Sequence, residues 1–99
     1  MQVIPTQAVP SQTLRVQLNE QDCVFRIYQK STGLYIDVQV DGEVIVYGAL
    51  CRDRVVTVRQ EYLGFLGDVA FMDMTGTQDP YYTGLNDRYL FIYLEPDET

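Results

Sequence analysis

Three aspartates in one segment are the residues of this chain best suited to chemistry. Asp73, Asp79 and Asp87 lie within the stretch from Met72 to Leu94, where a loop could bring their carboxylates together. Paired carboxylates can act as acid and base on glycosides, or can bind Ca²⁺ together with backbone carbonyls. Their spacing matches no EF-hand, and aspartates also serve loops by bonding to the local backbone. We therefore favour a structural role in a turn over metal binding or catalysis.

The rest of the composition removes most routes to catalysis. The chain contains no histidine, which is the commonest general base and a frequent metal ligand. The only lysine, Lys30, lies in a predicted turn, where a buried Schiff-base lysine is not expected. No phosphate loop, dinucleotide fingerprint or nucleophile elbow is present. The sequence thus predicts a protein that is not an enzyme and that has neither a cofactor nor a metal.

Two adjacent loop tyrosines, Tyr81 and Tyr82, follow Asp79-Pro80 in the same segment. Such tyrosines can stack on a sugar or insert into a protein partner, or one can close the end of the core while the other is solvated. Arg88 could pair with a loop carboxylate such as Asp79 and fix the shape of the loop. We predict that Asp79, Pro80, Tyr81, Tyr82 and Arg88 form a protein interface.

The charge balance limits the classes of partner. The formal net charge is −7, with 14 acidic and 7 basic residues, which argues against nucleic acid and anionic membranes. No apolar stretch approaches the roughly 20 residues that cross a bilayer. The N-terminus carries no basic and apolar signal, so synthesis in the cytoplasm is expected. The cluster Arg52-Asp53-Arg54 is either a solvated bend or an anchoring ion pair to a neighbouring subunit.

Cys23 and Cys51 are the only cysteines and lie in no metal-binding pattern. We expect two buried, reduced thiols that act as small apolar residues. The alternative is a disulfide between them, which requires that their strands are neighbours and which a cytoplasmic origin disfavours.

The elements that must position these residues are strands. Apolar and polar residues alternate from Thr13 onward, and no segment has a helical period, so we predict a single compact antiparallel β-sandwich or small β-barrel of about seven strands. We expect residues 1–12 to be an extended N-terminal arm and residues 95–99 to be a frayed acidic tail. The predicted strands are Thr13–Leu18, a strand from Cys23, Leu34–Val40, Glu43–Leu50, Val55–Glu61, Val69–Met74 and Tyr89–Leu94. Between them we predict a turn at Asn19–Asp22, a connection at Lys30–Gly33, a type I′ turn at Asp41-Gly42 and a bend or bulge at Leu63–Gly67. The last strand, Tyr89–Leu94, is either central in its sheet or an edge strand buried by another chain.

One pattern in the second half of the chain resembles a known family. It reads Asp73-x-x-Gly76-x-x-Asp79-Pro80, followed by Leu85-x-x-Arg88 and Tyr93, with Leu63-Gly64-x-Leu66 and Ile4-Pro5 upstream. In these features the chain resembles the small baseplate plug proteins of contractile-tailed phages. It departs from them where Leu85 is followed by Asn86-Asp87, since that family often has Leu-Gly before the arginine. Asparagine can also adopt the left-handed conformation, so the turn can be kept.

The resemblance implies a structural component of the virion, a β domain in the tail baseplate among hub, spike and tube-initiating proteins. Tail assemblies are symmetric, so self-association in several copies is expected. The N-terminal arm would make a second contact, for example by adding to a neighbour's sheet. The alternative function is a small β-sandwich module that binds a ligand or carbohydrate, with the loop tyrosines as a stacking platform.

Overall fold

Alternating apolar and polar residues build the first half of the chain into an antiparallel meander. The computed structural model describes residues 2–58 and 67–95, and within them seven strands form two sheets, ordered β2-β3-β4-β5 and β1-β7-β6. The strands are β1 (Gln2–Ile4), β2 (Ser11–Leu18), β3 (Gln21–Lys30), β4 (Gly33–Val40), β5 (Glu43–Leu50), β6 (Asp68–Asp73) and β7 (Tyr89–Leu94).

Two-residue turns set the register of this meander. Asp41 and Gly42 have φ angles of 51° and 85°, and Asn19 and Glu20 have φ angles of 51° and 64°. Positive φ at both central residues is the geometry of type I′ hairpins, whose twist matches that of the strands they join. The type I′ turn predicted at Asp41-Gly42 is therefore confirmed.

The last strand is the centre of the second sheet. β7 pairs antiparallel with β1 on one side and with β6 on the other, in a register that places Tyr89 opposite Asp73. β7 is buried on both faces at its centre, with Phe91 and Tyr93 on one face and Ile92 on the other, so it can be apolar throughout. Of the two positions predicted for this strand, the central one is observed.

The core lies between the two sheets. The Phe91 ring of β7 meets the Phe25 ring of β3 edge-on at 5.1 Å between centroids and stacks on Phe71 of β6 at 4.7 Å. Aromatic contacts of this kind add to the burial that holds the layers together. The described residues thus form a sandwich of two separate sheets, and the closed-barrel alternative does not apply to them.

The strand predicted from Val55 to Glu61 is wrong for its first four residues. The Asp68 carboxylate accepts hydrogen bonds from the amides of Thr57 and Val58, and the Thr57 amide also donates to the Val69 carbonyl. A side-chain acceptor thus replaces a regular ladder, and the segment runs irregularly along the edge of β6. Residues 59–61, the first four residues of the bend predicted at Leu63–Gly67, and the tail residues 96–99 lie outside the described residues.

The predicted N-terminal arm contains a strand. Residues 2–4 form β1. The side chain of Gln12 in β2 accepts a hydrogen bond from the Gln7 amide and donates one to the Gln7 carbonyl. The second contact predicted for this segment stays a prediction.

The two cysteines are buried and free, as expected. Burial raises the pKa of the Cys23 thiol to about 11, and it also raises the pKa of the Cys51 thiol. Both groups are therefore neutral thiols near pH 7. No helix in the described part of the chain is long and apolar enough to cross a membrane.

Candidate docking loop

A buried ion pair closes the neck of the loop that joins β6 to β7. We call residues 75–88 the docking loop. The carboxylate of Asp73, which is 1% exposed, accepts hydrogen bonds from Arg88 Nε at 2.9 Å and from Arg88 Nη2 at 2.8 Å. This bidentate, charge-assisted geometry is the strong form of an arginine–carboxylate pair. A carboxylate this deeply buried is tolerated because it is paired.

The same carboxylate organises the first turn of the docking loop. It accepts the Thr75 amide at 3.0 Å, the Thr75 hydroxyl at 3.2 Å and the Gln78 amide at 2.9 Å. Gly76 lies against the pair, since a Cβ placed there would be 3.4 Å from both Asp73 Oδ2 and Arg88 Nη2. One side chain thus fixes the path of the loop over its first residues.

These contacts shift the titration of Asp73. The hydrogen bonds from Arg88 lower the pKa of the Asp73 carboxyl well below its usual range, while burial opposes them and the backbone amides of Thr75 and Gln78 lower the pKa further. The ionised form is therefore the form that the folded loop stabilises.

A second layer of contacts comes from the bend at Asp53 and Arg54. Asp53 Oδ1 accepts the Asp73 amide at 2.7 Å, and the Asp53 amide donates to Asp79 Oδ1 at 3.1 Å. The Arg54 guanidinium bonds to the Asp53 carboxylate, to the Gly76 carbonyl at 3.1 Å and to the Asp73 carbonyl at 3.1 Å. Asp53 and Arg54 therefore bind the docking loop of their own chain, and the ion pair to a neighbouring subunit stays a prediction.

The pairing suggested between Arg88 and Asp79 is wrong. Arg88 pairs with Asp73, and Asp79 instead accepts the Asp53 amide. The reason is the antiparallel register: Asp73 lies opposite Tyr89, so the residue before Tyr89 meets the end of β6 directly. The signal available in the sequence was that Asp73 and Arg88 stand at the two ends of one loop between paired strands.

The two loop tyrosines have different environments. The Tyr81 side chain is 48% exposed, whereas Tyr82 is half-buried and packs against the core. Their ring centroids are 5.0 Å apart with the ring planes tilted by 37°. The Tyr82 amide donates to Gln29 Oε1 of β3 at 3.2 Å, a contact that the sequence did not reveal and that ties the loop to the other sheet. Pro80, between the exposed Asp79 and Tyr81, is buried.

Local contacts also fix the path of the loop where it returns to β7. A 3₁₀ helix at Tyr82–Gly84 leads to the buried Leu85. A Cβ at Gly84 would lie 2.7 Å from two carbons of the Tyr89 ring, so only glycine fits there. Asn86 has a φ of 63° and its amide donates to the Tyr89 carbonyl, which confirms that asparagine takes the left-handed conformation at this turn.

The arrangement is suited to presenting a surface. Asp73 uses its carboxylate to bind three residues of the loop, and no cluster of three or more metal-ligating side chains occurs in the described ranges. Of the predicted interface residues, Asp79 and Tyr81 face solvent, Tyr82 is half-buried, Pro80 is buried and Arg88 is turned toward Asp73. The last two therefore contribute shape to the docking loop, while Asp79 and Tyr81 are available for contact.

Comparison with known proteins yields one family. A family model described as "Cyanophage baseplate Pam3 plug gp18" matches residues 1–97 of the 99-residue chain. No curated protein matches the chain. The match covers both sheets and the docking loop, and it confirms the resemblance carried by the Gly76, Asp79-Pro80 and Arg88 pattern.

Proposed function

Because the chain belongs to the family of the cyanophage baseplate plug, we propose that it acts in the phage tail baseplate through protein–protein contacts made by the docking loop. Family membership supports a structural baseplate role, which is not an enzymatic one. The single observation that supports the loop as the contact surface is the Asp73–Arg88 pair, which fixes the neck of the loop that carries the exposed Tyr81.

A loop of fixed shape is suited to binding. Association costs free energy for every segment that must be ordered on contact, so a pre-shaped loop binds with a smaller penalty. Tyrosine is enriched among the residues that contribute most to interfaces, because its ring buries a large area with few rotatable bonds. Tyr81 is the exposed ring of this loop, and Asp79 beside it provides a charged contact.

The partners that follow from a baseplate position are hub, spike and tube-initiating proteins, in a virion assembled from proteins made in the host cytoplasm. Self-association in a symmetric assembly is part of the same proposal. The N-terminal segment is the second contact we propose, since β1 is the outer strand of its sheet and Val3 on it is 44% exposed.

Complementation of a phage that lacks this gene tests the proposal. Tyr81→Ser is expected to leave the fold intact but to reduce the amount of the protein in purified tails, because loss of an interface tyrosine costs about 2 kcal/mol or about 30-fold in Kd. Glu43→Ser changes an exposed residue at the start of β5, outside the docking loop, and is the matched control, with wild-type incorporation expected. Equal incorporation of both variants would overturn the role of the loop.

The same Tyr81→Ser variant tests the alternative function, carbohydrate binding. The tilt between the Tyr81 and Tyr82 rings and the half-buried position of Tyr82 do not provide a flat two-ring platform. If the isolated protein bound oligosaccharide, and Tyr81→Ser abolished that binding without changing tail incorporation, the docking proposal would be rejected.

A further inference from the structure

The outer face of the four-stranded sheet carries a second candidate surface, far in sequence from the docking loop. β5 at its edge has no charged residue from Val44 to Leu50, and within that stretch Val44 is 55% and Tyr47 79% exposed. With Thr13, Val24 and Gln39 of the neighbouring strands, these two side chains line a shallow depression of about 170 Å³. Val44 and Tyr47 are thus neighbours and not scattered single residues, and contiguous exposed apolar side chains are typical of interaction surfaces.

Irregular pairing places both side chains on this face. The register between β4 and β5 shifts twice. Val44 and Tyr47, which strict alternation would place on opposite faces, therefore lie on the same face of the sheet. The second shift contains Gly48, whose φ is 70°. Its amide donates to Asp37 Oδ1 at 2.7 Å, and the same oxygen accepts the Tyr28 hydroxyl at 3.0 Å. A half-buried carboxylate on the adjacent strand therefore stabilises the bulge that presents Tyr47.

The charge of this face differs from that of the whole chain. Arg15, Arg26 and Lys30 lie on it beside the carboxylates of Asp22 and Asp37, whereas the complete chain carries −7. The face is therefore locally positive by about one charge, in a protein that is otherwise strongly acidic.

Two of these cations are weakly paired or unpaired among the described residues: Arg26 has one long ion pair, and Lys30 has none. Lys30 Nζ lies 5.4 Å and 5.2 Å from the ring centroids of Tyr28 and Tyr35, and no carboxylate pairs with it in residues 2–58 and 67–95. Arg26 Nη1 is 3.6 Å from Asp37 Oδ2, while Asp37 Oδ1 accepts the Gly48 amide of the bulge. The Arg26 side chain is 56% exposed. The Arg26 guanidinium also lies 5.0 Å from the centroid of the Tyr28 ring, so aromatic rings hold both cations on this face.

We propose that this outer face binds a segment of a partner protein that carries carboxylates beside an apolar side chain. The apolar side chain occupies the depression at Val44 and Tyr47, and the carboxylates meet Arg26 and Lys30. A small excess of positive charge suits one or two carboxylates and not a polyphosphate, which the acidic remainder of the chain repels. A second copy of the chain is disfavoured because it brings another −7. This surface goes beyond the docking loop and does not depend on it.

An NMR titration of the full chain with the peptide Asp-Phe-Asp-Leu-Asp and its counterpart Lys-Phe-Lys-Leu-Lys tests the proposal. The amides of Val24, Arg26, Val44 and Tyr47 are expected to shift with the acidic peptide, which binds at least about tenfold more tightly than the basic one. This preference opposes the net charge of the protein, so general electrostatic attraction would give the reverse order. The double variant Arg26→Glu/Lys30→Glu is expected to lose the preference, while Tyr81→Ser keeps it.

Four outcomes would overturn the proposal. They are equal binding of the two peptides, tighter binding of the basic peptide, shifts at these amides with an oligonucleotide, and shifts that depend on protein concentration alone, which would assign the face to a second copy. A spectrum recorded for each variant without peptide shows whether it is folded. A stable tail contact through the docking loop is measured separately, so failure here leaves the baseplate role standing.

Discussion

Two arginine–aspartate pairs of this chain share one geometry in different surroundings. At the neck of the docking loop, Arg88 binds Asp73 through Nε at 2.9 Å and Nη2 at 2.8 Å. On the outer face of the four-stranded sheet, Arg15 binds Asp22 through Nε at 3.1 Å and Nη2 at 2.7 Å. The Asp73 side chain is fully buried, whereas Asp22 is 45% and Arg15 is 75% exposed.

The two pairs differ in what could solvate the carboxylate if its arginine were lost. Water can solvate Asp22 if Arg15 leaves, so an exposed pair adds little to stability. Asp73 has no such replacement, and it also binds the amides of Thr75 and Gln78. Loss of its partner leaves a buried charge without its counter-ion, which is why the neck pair fixes the shape of the loop and the outer pair does not.

The largest effect is expected when the neck pair is broken. Arg88→Met removes the guanidinium but keeps much of the side-chain volume, and it should lower the melting temperature more than a substitution at the bend of Asp53 or in the meander. The amides of Thr75 and Gln78 should exchange with solvent much faster, because the carboxylate that binds them is no longer positioned. Arg15→Met is the matched control with little change expected in either measurement. Equal effects of the two substitutions would contradict the comparison.

The pH dependence sharpens the same comparison. The pKa of Asp73 is lower in the folded protein than in the unfolded chain, so its ionised form stabilises the fold. This contribution is complete above the unfolded aspartate value of about 3.9 and is lost as the pH falls toward the depressed folded value. The difference in unfolding free energy between wild type and Asp73→Asn, measured by urea titration, should therefore shrink as the pH is lowered. A difference that grew on acidification would contradict this sign.

A smaller effect is expected in the second layer of the neck. Asp53→Ala removes the acceptor of the Asp73 amide, and an unsatisfied buried amide costs about 1–3 kcal/mol. Urea unfolding at neutral pH gives this value directly. Asp87→Ala, at an exposed position of the same loop, serves as the control with no change expected. An Asp53→Ala variant as stable as wild type would show that the bend at 53–54 does not support the loop.

The smallest effect belongs to the other half of the molecule. A Cβ at Gly42 would meet no atom within 4 Å, so Gly42→Ala costs only the strain of an L-residue at a φ of 85°. This strain is about 1 kcal/mol. Urea unfolding should show that loss with unchanged exchange at Thr75 and Gln78. Faster exchange in the docking loop would mean that the two halves are not separable in this way.

The meander could be predicted from sequence because its signals are local. Alternation places Phe25 and Ile27 inward, and Asp41-Gly42 dictates a tight turn, so neighbouring residues are enough to set strand and register. The bulge at Gly48 of β5 was not predicted, because it depends on a hydrogen bond that the Gly48 amide donates to Asp37 across the strand pair.

The candidate site was predictable only in outline. The long loop, its exposed tyrosine and the left-handed Asn86 follow from residue types in one segment. The contacts that hold the loop come from distant segments: Asp53 bonds to the Asp73 amide across 20 positions, and Gln29 to the Tyr82 amide across 53. Pairing at such separations is fixed by packing of the two sheets, which no local pattern records.

Site-specific cross-linking in assembled tails tests the central claim most directly. A photoreactive p-benzoylphenylalanine is placed at position 81 of the docking loop, and in a second sample at position 43 of β5, and the cross-linked peptides are identified by mass spectrometry. We predict cross-links from position 81 to another baseplate protein and none from position 43 to the same site. Tails that contain the protein but give no cross-link from position 81 would contradict docking through this loop.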